Sequence, residues 1–437
     1  MKKPLIPLFS FVLITSFLGS VANGAQLGVL TYQVAYGHIR ITDCDPLATT
    51  VEVPSEIDGL PVKEIMNEAF SECTNLTSVK LPESVTSIGR GAFGACPRLI
   101  SISIPEGVTS IKEGTFSVCF SLTSMKLPQS LTRVGENAFF GCTNLTSIAL
   151  PEGLVSLGSG AFAECHRLAS ITIPEGVTSI GHHAFSGCGR LESISIPESV
   201  TAIGHNGFSG CFSLTAIAMP EGVTSVKEGT FADCTSLISV KLPQSLTTIE
   251  KNAFERCGSL SSIDFPEGLR SIGSFAFSDC GGLSSINLPQ SVVFMGQNAF
   301  SGCASLTSMN FPEGMESIGH RALSRCPALE SVRLPEAFHS RIKARNLGIE
   351  SIYPEGFLLP QMTGGDSRQI GLVIDMLSDV WLPVITITGD AGRMVGVEAS
   401  DSPEGPWVEW RNIEVGKNGT MEIQLGKEGR MRFYRLK

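Results

Sequence analysis

Apolar and polar positions recur along most of this chain in a unit of 23 residues, which reads C-x-x-L-x-S-I-x-L-P-E-G-V-T-S-I-G-x-x-A-F-x-x. Its first part predicts a short strand. In the first copy Leu76, Val79 and Leu81 are apolar, while Ser78 and Lys80 alternate with them, so one face packs inward and the other meets solvent. Pro82 ends the strand because it has no N–H to donate, and the Glu-Gly or Gln-Ser that usually follows Pro forms a turn. The V-T-S-I-G stretch predicts a second short strand on the opposite side of the coil, ended by glycine. Ala-Phe then predicts a helical turn that sets Phe beneath the coil, and cysteine closes the unit.

The spacing never slips. Cys73, Cys96, Cys119, Cys142, Cys165, Cys188, Cys211, Cys234, Cys257, Cys280, Cys303 and Cys326 are each 23 residues apart. Phenylalanine stands three residues earlier in every copy, from Phe70 to Phe300, except the last, where Leu323 replaces it. Leucine stands three residues after each cysteine, from Leu76 to Leu329. One unit cannot bury its own apolar face, so the units must stack, and stability becomes a near-neighbour sum. Twelve coils at about 4.8 Å per parallel strand give a rod of roughly 58 Å.

L-x-x-L-x-L is the strand of a leucine-rich repeat. The longer pattern I-P-E-G-V-T-S-I-G-x-x-A-F-x-x-C-x-x-L-x-S-I resembles the BspA-type (Treponema pallidum-type) leucine-rich repeats of bacterial surface proteins, over about residues 30–335. The segment from Leu30 to Thr42 reads as the cap hairpin of that family, and Pro54 to Phe70 is five residues longer than the usual Pro-to-Phe spacing. The resemblance implies extracellular binding or adhesion and no catalysis. The expected fold is a mostly β solenoid of parallel strands with short helical turns, followed by a small antiparallel β-sandwich.

A longer period lies inside the short one. Residues 99–130 and 214–245 are near-copies, offset by 115 residues or five repeats, and the flanking turns agree as well. A five-repeat block was duplicated. Similar surface is therefore expected twice, about 24 Å apart at the same strand spacing.

The ends differ from the middle. Lys2 and Lys3, the apolar run Leu5 to Val21 and the small residues Ala22-Asn23-Gly24 predict a signal peptide over residues 1–24. Residues 25–60 are assigned to an N-terminal β cap, 61–335 to the repeats and 336–364 to a capping helix and linker. Residues 365–437 form the C-terminal sandwich. PEAFHSRIKARNLG starts with Pro and ends with Gly, as a capping helix does, with Phe338, Ile342 and Leu347 toward the last coil. Beyond it lie all three tryptophans (Trp381, Trp407 and Trp410), six short apolar or alternating runs and an Asn418-Gly419 hairpin turn. The ending V-E-A-S-D-S-P-E-G-P-W resembles C-terminal β modules of secreted Verrucomicrobia-like proteins. After removal of the signal no segment is apolar and long enough to span a bilayer.

Composition then narrows the chemistry. A formal charge of −10, or −12 once Lys2 and Lys3 are removed, excludes a nucleic-acid partner, which needs a basic stripe. No catalytic, cofactor-binding or metal site is expected: the seven histidines scatter over cap and turn positions, and no known catalytic motif appears. Thirteen cysteines in an exported chain suggest disulfides by compartment. Against that, equivalent Cβ atoms on adjacent coils are about 4.8 Å apart, whereas a disulfide wants about 3.8 Å. A buried ladder of free thiols over Cys73–Cys326 is the expectation and bridges are the alternative, with Cys44 an unpaired cap residue outside the ladder.

The candidate binding face is the outward column of the main strand. It comprises Lys80, Ser103, Lys126, Thr172, Ser195, Lys241, Asp264, Asn287, Asn310 and Arg333, with Ala149 and Ala218 filling the remaining places. Beside it runs a column that is serine in eleven of twelve copies. The expected function is non-catalytic interaction with an extracellular or surface protein. The alternative is a structural envelope or matrix rod that the C-terminal module attaches or sorts.

Overall fold

The computed structural model describes residues 24–335 and 347–349 with their side chains, and six later strands by their backbone. The signal segment, the capping helix before Leu347, the linker from residue 350, Trp381, Trp407 and the Asn418-Gly419 turn lie outside the described residues.

Each repeat is one coil with three sides. On the first side the main strands pair parallel, one repeat apart: Ser78 faces Ser101, Ser170 faces Ser193, Ala216 faces Ser239 and Ser308 faces Ser331. Identical units leave no other register that keeps every apolar residue inside. On the second side, five strands between Ser110 and Ile203 form one parallel sheet and five between Ser225 and Ile318 form another.

The third side carries Ala-Phe, and it is not helical; residues 24–335 contain no helix. Backbone conformation is the reason. In all twelve coils the residues five and one before the cysteine are left-handed, for example Gly114 (φ 59°) with Val118 (61°) and His183 (54°) with Gly187 (73°). These break any α-helix into successive tight turns such as Gly94 N–H to Gly91 O. The freed donors run along the rod instead: Gly91 N donates to Glu113 O at 2.9 Å and Phe93 N to Thr115 O at 2.9 Å. All three sides therefore satisfy backbone groups between coils.

The interior is built by columns. Eleven phenylalanines from Phe70 to Phe300 are fully buried, and successive rings stack nearly parallel at 4.9–5.7 Å. The glycine that ends the second strand permits close stacking: a Cβ on Gly181 would lie 2.5 Å from the backbone of Gly158 and Ser159. Four coils depart from this rule, with Met66, Glu250, Lys112 and Lys227 in the glycine position, and the two lysines stand 115 residues apart. In both lysine coils a fully buried Thr replaces the Ala before Phe, and its hydroxyl donates to the lysine carbonyl: Thr115 to Lys112 at 2.9 Å and Thr230 to Lys227 at 2.8 Å. The second-side sheet restarts at both coils, so the five-repeat period is a feature of the fold as well as of the sequence.

At the N-terminal end, Leu30–Ala35 and His38–Cys44 form the expected antiparallel hairpin through left-handed Tyr36-Gly37. The five extra residues after Pro54 form a second small hairpin, Glu56–Ile57 with Leu60–Ile65, turned by left-handed Asp58-Gly59. Thr50–Glu52 pairs with Ser78–Lys80, so one more coil precedes the twelve that carry the regular spacing. At the other end Leu347 and Ile349 are buried, and Leu347 O accepts from Leu323 N at 3.0 Å, which extends the third-side ladder past the last repeat. The six later strands coincide with the six runs read from sequence. They form two three-stranded antiparallel sheets, one of Gly371–Met376, Pro383–Thr388 and Thr420–Gln424, the other of Val408–Glu414, Met394–Ser400 and Phe433–Leu436.

Candidate interaction surface

All twelve residues of the outward column are exposed, and strand pairing sets them one repeat apart: Lys80 beside Ser103, Thr172 beside Ser195, Ala218 beside Lys241, Asn310 beside Arg333. Lys126 joins by a single bridge to Ser103. The inward neighbours, such as Val79, Ile102, Ile194 and Val240, are at most 8% exposed, so the alternation reaches the surface as a flat polar face on an apolar core.

The column has a member that the regular spacing hides. Glu52 precedes Lys80 and forms an ion pair with it at 2.6 Å. Its offset is 28 residues rather than 23, because the extra hairpin intervenes. The signal was present in Val51-Glu52-Val53-Pro54, which repeats the pattern of Val79-Lys80-Leu81-Pro82. Thr50, Glu52, Ser78, Lys80, Ser103 and Lys126 line a shallow hollow of about 510 Å³ at this end of the face. Both charges of the Glu52–Lys80 pair are mostly solvated, so the pair orients side chains and adds little stability.

The turn glutamates cap the next coil. Glu106 accepts from Gln129 N at 2.8 Å, Glu221 from Gln244 N at 2.8 Å and Glu198 from Glu221 N at 3.0 Å. Among the described residues no group of three or more His, Cys, Asp or Glu side chains is placed to hold a metal ion. His182 and His205 stack across neighbouring coils at 5.0 Å, and His205 N donates to His182 Nδ1 at 3.0 Å. The two rings occupy equivalent turn positions one repeat apart.

The thirteen cysteines are buried free thiols. From Cys96 to Cys326, each Sγ donates to the carbonyl of the phenylalanine in the preceding coil, 26 residues earlier, at 3.0–3.3 Å. That carbonyl is not used by the ladder between coils; it accepts the cysteine N–H of its own coil in a tight turn, as Phe139 O does from Cys142 N at 3.1 Å, and the thiol of the next coil meets its second lone pair. Cysteine suits the place because it packs as an apolar group and still carries a weak S–H donor. No phenylalanine stands in the coil before Cys73, whose Sγ lies 4.0 Å from the carbonyls of Cys44 and Asp45 instead. Cys44, outside the regular spacing, is thus the buried neighbour at the start of the column. Burial raises the thiols: Cys142 and Cys234 are pushed up to about 12, and Cys165, Cys211 and Cys257 well above the ordinary value. A buried thiol held neutral in this way is no nucleophile at physiological pH.

The chain matches the family model of the BspA type leucine rich repeat region in six copies, over residues 49–168, 155–280 and 228–344. Among solved structures it is similar to a leucine-rich repeat protein from Bacteroides ovatus, at 27% identity over 75% of this chain and 98% of that one, with a TM-score of 0.55. A leucine rich cell surface protein from Faecalibacterium prausnitzii matches at 27% identity over 72% of this chain and 95% of that one, with a TM-score of 0.52. A leucine rich repeat protein of T. pallidum is 36% identical over 44% of this chain and 90% of that one, with a TM-score of 0.42. No curated protein matches.

Proposed function

The chain belongs to the BspA-type leucine-rich repeat family, and we propose that it is an exported, non-catalytic interaction protein that binds a protein partner at or outside the cell surface through its main-strand face. The observation that carries the reading is the contrast between the two faces of one strand. The inward residue at the centre of the strand is Val, Ile or Met in every coil, whereas the outward column changes from Lys to Ser, Ala, Thr, Asp, Asn and Arg. A stack that needed only to stand would have no use for a varied outer column on an unvarying core. The cell-surface description of the Faecalibacterium relative supports the placement, as does the basic and apolar N-terminus. Among the described residues no helix is long and apolar enough to cross a membrane.

The face holds Arg333 but no Trp or Tyr, the residues that dominate tight protein interfaces. Contact with any one coil is therefore weak, and engagement of many coils, or of both copies of the duplicated block, supplies the affinity. Photo-crosslinking residues placed at Ser103 and Ser195, on the strand face, and at Thr178, on the second side, test this. On intact cells a discrete adduct with a second polypeptide is expected from positions 103 and 195 and not from 178. Adducts of equal yield from all three positions, or from 178 alone, would refute the face assignment.

A further inference from the structure

On the third side of the coil the two left-handed columns stand as walls, and the residue two before each cysteine forms the floor between them. Near the C-terminal end this floor is serine for three successive coils. Ser278 and Ser301 are each only 4% exposed, and the hydroxyls of Ser301 and Ser324 lie 2.8 Å apart. One wall is Phe275, Asn298 and Arg321; the other is Asp279 and Arg325, whose ion pair of 2.7 Å reaches across the bare Gly302. Together they enclose a trough of about 490 Å³, within the usual range of about 300–1,000 Å³ for small-molecule sites. From Ser278 to Ser324 it runs two coil spacings, or about 10 Å.

Two features of the walls ask for a ligand. Phe275 is left-handed at φ 58°, in a column whose other members are Gly or Asn in eight coils and Glu68, His183 and Arg321 in the remaining three. A bulky aromatic residue in that region is a true outlier, and glycine or asparagine would relieve it. Strain of this kind persists where the side chain has a use, and the ring here is only partly covered. Arg321 forms no ion pair among the described residues, although Arg325 in the same coil and Arg256 three coils earlier each hold an aspartate. The trough thus offers an aromatic ring, a floor of hydroxyls, an amide and one unpaired guanidinium, with the Glu255 carboxylate at its far end.

We propose that this trough binds an acidic oligosaccharide, specifically a uronate-containing one. The C–H face of a pyranose lies against Phe275, its hydroxyls exchange hydrogen bonds with the serine floor, Asn298 and Asp279, and the uronate carboxylate takes the planar fork of Arg321. Asp279 neutralises Arg325 and Glu255 closes the far end of the trough, so the site carries no net charge and only the fork of Arg321 is open to an anion, which favours a single carboxylate over a polyphosphate. The site is on a different side of the coil from the main strands and is independent of the partner proposed for them.

Calorimetric titration of the full chain with trigalacturonate and with maltotriose, a neutral trisaccharide, tests the proposal. Trigalacturonate is expected to bind and maltotriose to bind more weakly. Arg321→Ala should weaken trigalacturonate about tenfold or more, the usual loss for a charge-assisted pair, and leave maltotriose nearly unchanged. Phe275→Gly should abolish binding of both sugars while the thermal midpoint holds or rises, since the backbone strain goes with the ring; a purely structural phenylalanine would lower the midpoint instead. Absence of trigalacturonate binding by the unaltered chain, or binding unchanged in both variants, would overturn it.

Discussion

Raising the pH above about 9 is expected to unfold the solenoid over a narrow interval, with the fold recovered on return to neutrality under reducing conditions. The sign follows from the buried thiols. Below their ordinary value near 9.0 both folded and unfolded chains hold these protons, and stability does not depend on them. Above it the unfolded chain releases protons that the folded chain keeps, because burial holds Cys142 and Cys234 at about 12 and their neighbours well above normal. The unfolded state then binds fewer protons, so stability falls as pH rises, by about 1.4 kcal/mol per pH unit for each thiol. Nine thiols from Cys96 to Cys280 are raised chiefly by desolvation. Together they remove about 12 kcal/mol per pH unit, comparable to the whole stability of an ordinary domain, about 5–15 kcal/mol. Circular dichroism followed from pH 8 to 11 reads the transition. The Cys142→Ala/Cys234→Ala double variant should be less stable at pH 7 but lose stability more gradually, by about 2.7 kcal/mol less per pH unit. A slope equal to that of the unaltered chain would show that these thiols do not carry the effect.

Replacing one ring in the middle of the phenylalanine column should cut the rod in two. Phe185 sits between Phe162 at 5.7 Å and Phe208 at 5.5 Å, and all three rings are fully buried. Phe185→Ala leaves a ring-sized cavity, which costs about 3–5 kcal/mol, and two stacked contacts worth about 0.5–1.5 kcal/mol each lie within that loss. In a near-neighbour stack the weakened interface lets the coils on either side unfold separately. Urea denaturation followed by circular dichroism should show a lower first midpoint and a second transition absent from the unaltered protein. Phe185→Leu, the residue that the chain itself uses at Leu323, should cost much less and keep one transition. An unchanged midpoint for Phe185→Ala would mean that the ring column does not couple the coils.

Much of this architecture was legible in the sequence because the repeat makes every coil testify for every other. A position that is Cys in twelve coils, or Phe in eleven, must occupy one environment, and alternation around Val79 and Lys80 separated core from face without further information. Three features were not legible for physical reasons. The third side reads as helical because Ala-Phe between polar residues suits a helical turn, and the left-handed positions are disguised: His183, Phe275 and Arg321 stand where glycine would announce them. Glu52 and Cys44 belong to the face and to the thiol column, but the hairpin at Asp58-Gly59 shifts their offsets to 28 and 29 residues and hides them from a search at 23. The trough joins residues from separate coils, and its Asp279–Arg325 pair spans 46 residues across Gly302, a relation that emerges only when the columns are stacked.

The division of labour between core and surface rests on the thiol column remaining reduced and enclosed. The direct measurement is a thiol count on protein isolated from its own cells, alkylated without reductant, in native buffer and again in denaturant. The expected result is no reaction in native buffer and thirteen reactive thiols after unfolding, matching the thirteen buried free cysteines. Fewer than thirteen in denaturant would mean that neighbouring coils are bridged, and prompt reaction in native buffer would mean that the column is open to solvent; either result would contradict the account.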